Sequence, residues 1–151
     1  MGYNTILPGR LSMGSAPPAG ARLPFDTLVL TAVEYQPSSA NFPDVRVLRA
    51  LLNDDGSPMT VAEMSRAIRL GREVARRVRG GERVLVTCAM GRNRSGVVTA
   101  IAMLEMGMSA PVAVRLIRRA RGQHALRNRY FLDLIHLHSR PYAGHVGEMV
   151  P

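Results

Sequence analysis

Apolar positions along the chain recur with two different periods, and the switches between them outline the elements. Phe25 to Val33, FDTLVLTAV, is dense in leucine and β-branched residues and predicts a buried strand. A loop, QPSSANFPD, separates it from Val45 to Leu52, VRVLRALL, which alternates and then becomes continuously apolar, as a strand entering the middle of a sheet does. NDDGSP, Asn53 to Pro58, is a turn by its residue types. Thr60 and Glu63 have capping-box spacing, and Val61, Met64, Ala67, Ile68, Gly71, Val74, Ala75 and Val78 then follow a helical period. Arg66, Arg69, Arg72, Glu73, Arg76 and Arg77 lie on the opposite face of that helix, and Gly80-Gly81 stop it. Arg83 to Thr87 reads as a strand. Arg94 to Met106 reads as a helix apolar almost all round, hence central. Two further helices are expected, Pro111 to Arg121 between Ser109 and Gly122, and Asn128 to His138 with Asn128 as cap. The opening stretch through Gly14 predicts a short extended segment and a loop, and the tail from Arg140 carries too much Pro and Gly for an assignment.

Strand, long helix, strand from Val45 to Thr87 has the length of a β-α-β crossover, so the two strands should run parallel. Their C-terminal ends, bearing the NDDGSP turn and the loop CAMGRNRS, then leave the same edge of the sheet, where open α/β folds bind ligands. The expected class is α/β, a single domain over residues 1–151 with a central, mostly parallel sheet flanked by helices.

Composition adds limits. A length of 151 residues with 46% hydrophobic content suits one compact core. No run of about 18 apolar residues appears, and the N-terminus lacks the pattern of a signal peptide, so a soluble, cytoplasmic protein without a membrane span is expected. One cysteine excludes an internal disulfide. The net charge is +9 and all 20 basic residues are arginine, whose planar fork matches phosphate geometry. By itself that excess is as well explained by solvated helix faces, the reading adopted for Arg115, Arg118, Arg119 and Arg121.

Cys88-Ala89-Met90-Gly91-Arg92-Asn93-Arg94-Ser95 places a cysteine at a strand end and an arginine five residues on, in the first turn of a helix. So short a loop must curl, turning backbone N–H groups inward, and Gly91 relieves the bend. The helix N-terminus adds partial positive charge, so phosphate oxygens would occupy the cradle formed by Ala89, Met90, Gly91, Arg92, Asn93 and Arg94, with the Arg94 guanidinium gripping two of them. The same field favours a thiolate at Cys88, able to attack phosphorus and form a phosphocysteine. Asp54 or Asp55 can protonate the leaving oxygen and later activate water, while Ser95 can donate to the departing sulfur. The side chains of Arg92 and Asn93 are expected in solvent. No cofactor or metal is called for: His124, His136, His138 and His145 lack partners at ligand spacing.

These residues resemble the Cys-x5-Arg-Ser/Thr signature of the protein tyrosine and dual-specificity phosphatases. The resemblance extends to ILPGRLSMGSAPP, LLNDDGSP and RLIRRARGQHALRNRYFLDLI, covering roughly Ile6 to Leu137. It implies hydrolysis of phosphotyrosine, phosphoserine or phosphothreonine in proteins, or of small phosphorylated molecules, and the compact size points to the dual-specificity branch. The family's acid commonly follows an inward apolar strand residue by two positions, which favours Asp54, after Leu52, over Asp55. Thr87 departs from the histidine that the family usually carries before its nucleophile, so reduced or retuned activity is expected.

Two other functions fit parts of the pattern. An RNA 5′-phosphatase would suit the charge, but three Phe, four Tyr and no Trp offer few stacking surfaces, so nucleic acid is not the expected partner. A weakly catalytic phosphate-binding module would use the same cradle.

Overall fold

The computed structural model describes residues 2–140, so the tail beyond Arg140, with His145, lies outside the described residues. A five-stranded sheet is built from β1 (Tyr3–Leu7), β2 (Leu11–Ser15), β3 (Thr27–Ala32), β4 (Arg46–Leu52) and β5 (Val84–Cys88), in the order β1-β2-β5-β3-β4. Only the β1–β2 pair is antiparallel; β2, β5, β3 and β4 all run the same way. The four helices are α1 (Val61–Arg79), α2 (Arg94–Glu105), α3 (Ala110–Arg121) and α4 (Arg129–His138).

Two strand expectations change. The opening segment is a β-hairpin, turning at Gly9 with φ +71°, and its second strand pairs with β5. The strand expected in the middle of the sheet, β4, is an edge strand, and β3 stands between it and β5. Its sequence explains why: Arg46 and Arg49 are exposed on β4, whereas every residue of β3 and β5 is buried. The Val45-to-Thr87 crossover therefore skips one strand. Both strands still run parallel, and their C-terminal ends still share one edge.

The main core lies on one face of the sheet, where Met13, Val29, Leu52, Val84 and Val86 meet apolar residues of all four helices. A smaller cluster on the other face, around Leu28, Leu30, Leu85 and Phe42, is covered by the loops near Leu23 and Val45. β5 thus alternates strictly, with Leu85 on the loop face and Val84 and Val86 on the helix face. α1 has its capping box, with Thr60 Oγ1 accepting from Glu63 N–H and Glu63 accepting from Thr60 N–H, each at 3.0 Å. Val61, expected on its buried side, is instead 79% exposed at the first helical position. Gly71 serves as a contact point, because a Cβ there would strike Ile101 of α2. α2 has ten buried residues from Arg94 to Met103, as its all-round apolar pattern requires. Among the described residues, no helix is long and apolar enough to cross a membrane.

Candidate active site

Because β3, β4 and β5 are parallel, the residues that follow each strand gather at one edge: Glu34 after β3, Asp54 after β4, and the loop after Cys88 at the end of β5. Cys88 has the parity of Val84 and Val86 and faces the helices. It is buried, and its Sγ lies 3.2 Å from Oγ of the buried Ser95 in the first turn of α2. Thr87, one residue earlier, faces the opposite side. Its hydroxyl donates to the carbonyl of Val29 at 2.8 Å, so it stitches β5 to β3 and is directed away from the sulfur.

The loop from Ala89 to Asn93 turns its carbonyls outward, one after another. Ala89 O accepts from Ala16 N–H at 3.5 Å, and Arg92 O from Leu126 N–H at 3.2 Å. Met90 O and Gly91 O both accept from the guanidinium of Arg121, at 3.1 and 2.9 Å. Asn93 O takes up the first intrahelical bond, from Val97 N–H at 2.9 Å. In a trans peptide the next N–H points opposite to the carbonyl, so the N–H groups of Met90 through Arg94 are turned to the concave side. None of these five N–H groups reaches an acceptor among the described residues. Gly91 permits the curl with φ +67°, and its missing Cβ leaves room for the backbone of Gly14 and for Arg121. α2 begins here with no side-chain cap from Asn93, which leaves its N-terminal positive end open to an anion.

Arg94 reaches under this loop, with its side chain only 8% exposed. Nη1 and Nη2 donate to the two carboxylate oxygens of Glu34 at 2.6 and 2.7 Å, and Nη1 donates again to Leu52 O at 3.2 Å. Nε, fully buried, has no partner. Three of the five N–H bonds are therefore spoken for, and the remaining edge, Nε–H with the second Nη2–H, can clasp a tetrahedral oxyanion with two parallel bonds. The hydrogen bonds that Arg94 donates to Glu34 hold the guanidinium above its ordinary value, and in turn hold the Glu34 carboxyl below the usual carboxylate range.

The two acids of the turn are separated by their partners. Asp54 Oδ2 accepts from Asn93 Nδ2 at 2.9 Å and Oδ1 from Asn128 Nδ2 at 2.8 Å, which binds it to the loop and to the α4 cap. Asp55 faces its own turn, accepting from Ser57 N–H at 3.0 Å and from the Ser57 hydroxyl, and these bonds lower its carboxyl. The base of the turn is fixed from α1. Glu63, the capping-box acid, also accepts from Asn53 N–H at 3.0 Å. Burial pushes its carboxyl up, but the N–H groups of Thr60 and Asn53 outweigh this and hold it low.

Several side chains do more here than their sequence positions disclose. Asn93, expected in solvent, joins Asp54 to the loop before α4, since its Oδ1 also accepts from Arg127 N–H at 2.8 Å. Arg92 is exposed as expected. Arg118 and Arg121 are half-buried rather than solvated: Arg118 bonds the carbonyls of Ala125 and Leu126, each at 3.0 Å. Glu34 carried no signal at all, being one acid after a strand whose neighbour across the site lies 60 residues away.

No protein-family model and no curated protein sequence matches the chain. Solved structures do match its fold. Human DUSP28 superposes with a TM-score of 0.76 at 24% identity, covering 92% of this chain and 93% of that one. Tk-PTP in its active form gives 0.73 at 24%, over 91% and 95%. PTPMT1 in complex with PI(5)P gives 0.71 at 17%, over 95% and 98%.

Proposed function

We propose, from the tyrosine and dual-specificity phosphatase fold that this chain carries, that it hydrolyses phosphate monoesters through a phosphocysteine intermediate. The observation that carries the reading is the unpartnered, buried Nε–H of Arg94 beside five inward N–H groups, a donor set shaped for the three non-bridging oxygens of a phosphate. Cys88 stands at its base as the only nucleophile of its kind in the chain.

In the first step the Cys88 thiolate attacks phosphorus, forming the S–P bond as the ester P–O bond breaks, and Asp54 gives its proton to the leaving oxygen. In the second, Asp54 accepts a proton from water as that water attacks phosphorus. The S–P bond breaks, the Ser95 hydroxyl donates to the departing sulfur, and inorganic phosphate leaves. Arg94 and the loop N–H groups stabilise the charge of both transition states, and Glu34 holds Arg94 side-on to the phosphate.

Phosphotyrosine, phosphoserine or phosphothreonine in proteins, or a small phosphorylated molecule, is the proposed substrate class, with specific dual-specificity activity as its finer form. A cytoplasmic location goes with that reading. Turnover of p-nitrophenyl phosphate by the wild type, abolished in Cys88→Ser, is the test. Oxyanion binding without turnover in the wild type would point instead to a phosphate-binding module.

A further inference from the structure

Among the described residues, Arg121 is the one guanidinium that hydrogen-bonds the phosphate loop from outside. It crosses from the last turn of α3 to donate through Nε to Gly91 O at 2.9 Å and through Nη2 to Met90 O at 3.1 Å. Its Nη1 continues to the hairpin, donating to Asn4 Oδ1 at 2.6 Å and Gly2 O at 3.2 Å. All four acceptors are neutral oxygens, and among the described residues no carboxylate pairs with it. Burial pushes the Arg121 guanidinium below its ordinary range, with Cys88 opposing the shift and Arg92 adding to it.

We infer that Arg121 is a positioning residue, which sets the phosphate loop in its anion-binding curl by holding the Met90 and Gly91 carbonyls outward. The inference rests on reading that loop as the phosphate site. Each peptide is a rigid plane, so anchoring the Met90 carbonyl outward fixes Gly91 N–H inward, and anchoring the Gly91 carbonyl fixes Arg92 N–H inward. Two cradle donors are thereby aimed by one planar fork, whose Nε and Nη2 match two successive carbonyls as a point-charge ammonium cannot. Gly91 is part of the same fit: a Cβ there would stand 2.6 Å from Arg121 Nη2. The contacts with Gly2 and Asn4 make the β1 hairpin the far anchor of the brace. A cation without a carboxylate partner behind the loop also adds attraction for a phosphate dianion.

The test compares wild type with Arg121→Met, Arg121→Lys and Asn4→Ala, using Arg115→Met on the exposed face of α3 as the control. Steady-state turnover of p-nitrophenyl phosphate is measured alongside tungstate affinity in a Cys88→Ser background, with circular dichroism reporting the folded fraction. For folded Arg121→Met, kcat/KM should fall by ~10² and tungstate bind ~10-fold more weakly, since small displacements of preorganised donors have costs of that order. Added guanidinium should restore part of both, and Arg121→Lys should stay impaired. Asn4→Ala should show a smaller loss of the same kind, and it carries the test with Arg121→Lys if Arg121→Met does not fold. Wild-type kinetics and tungstate affinity in the folded variants, or a loss of activity only in proportion to unfolded protein, overturns the inference alone. Wild type that neither hydrolyses the ester nor binds tungstate overturns the phosphate reading with it.

Discussion

Asn93 donates through Nδ2 to Oδ2 of Asp54 at 2.9 Å, tying the acid-bearing turn after β4 directly to the loop after β5. The second oxygen of Asp54 is bound by Asn128, so the carboxyl group is anchored between two side-chain amides that belong to other loops. Asp55, one residue away, makes its bonds within its own turn.

That difference predicts which acid protonates the leaving group. Asp54→Asn should lower turnover of alkyl phosphates, whose leaving oxygens are basic, by ~10² to 10⁴, and of nitrophenyl phosphate by much less. Asp55→Asn should leave both substrates nearly unchanged. A plot of kcat against leaving-group basicity for the two variants decides the matter, and a steeper slope in Asp55→Asn would move the role there.

Glu34 predicts an acid limit to stability. Its carboxyl is held below the ordinary 4.5, first by the Arg94 hydrogen bond. A depressed carboxylate stabilises the fold fully above its unfolded value and loses that contribution as pH falls through the folded one. Unfolding midpoints measured from pH 6 down to pH 3 should therefore fall more steeply for wild type than for Glu34→Gln. The difference should be modest, since the Glu34 side chain is 54% exposed and screened by solvent. Parallel curves for the two proteins would show that the pair contributes nothing to folding.

Gly91→Ala should damage the loop more than its size suggests. The residue sits at φ +67°, where a Cβ is strained, and that Cβ would collide with the backbone of Gly14. About 1–3 kcal/mol of destabilisation is expected from the backbone strain. Denaturant melts should report it, together with loss of tungstate binding; an alanine variant with native affinity would mean that the curl does not depend on this residue.

Thr87 should prove a sheet residue. Thr87→Val removes the bond to Val29 O and should cost about 1 kcal/mol, while turnover per folded molecule stays as in wild type. Thr87→His, which would bring in the residue that the phosphatase pattern carries there, must fit a larger ring into a fully buried position and should cost about 1–3 kcal/mol. A shift of the pH–rate profile in Thr87→Val would show that residue 87 influences the sulfur across the sheet.

What the sequence determined by itself was whatever depends on near neighbours. The capping box at Thr60 and Glu63, the all-round apolar α2, the glycine stop after α1 and the run from Cys88 to Ser95 each declare themselves within a dozen residues, because helix periodicity, caps and a short curled loop are local physics. Parallel strands followed from the length of the crossover, and they were enough to bring Asp54 or Asp55 toward Cys88. Tertiary structure decided the rest. The place of β4 at the sheet edge depended on β3 inserting beside β5, a pairing between segments far apart in sequence. The contacts that set Asp54 apart from Asp55 came from Asn93 and Asn128, which belong to two other loops. Glu34 and Arg121 acquired their parts from partners 60 and 30 residues away, through hydrogen bonds whose geometry exists only once the elements are packed. A guanidinium on a helix is a solvated charge in sequence terms until another segment brings carbonyls within its reach.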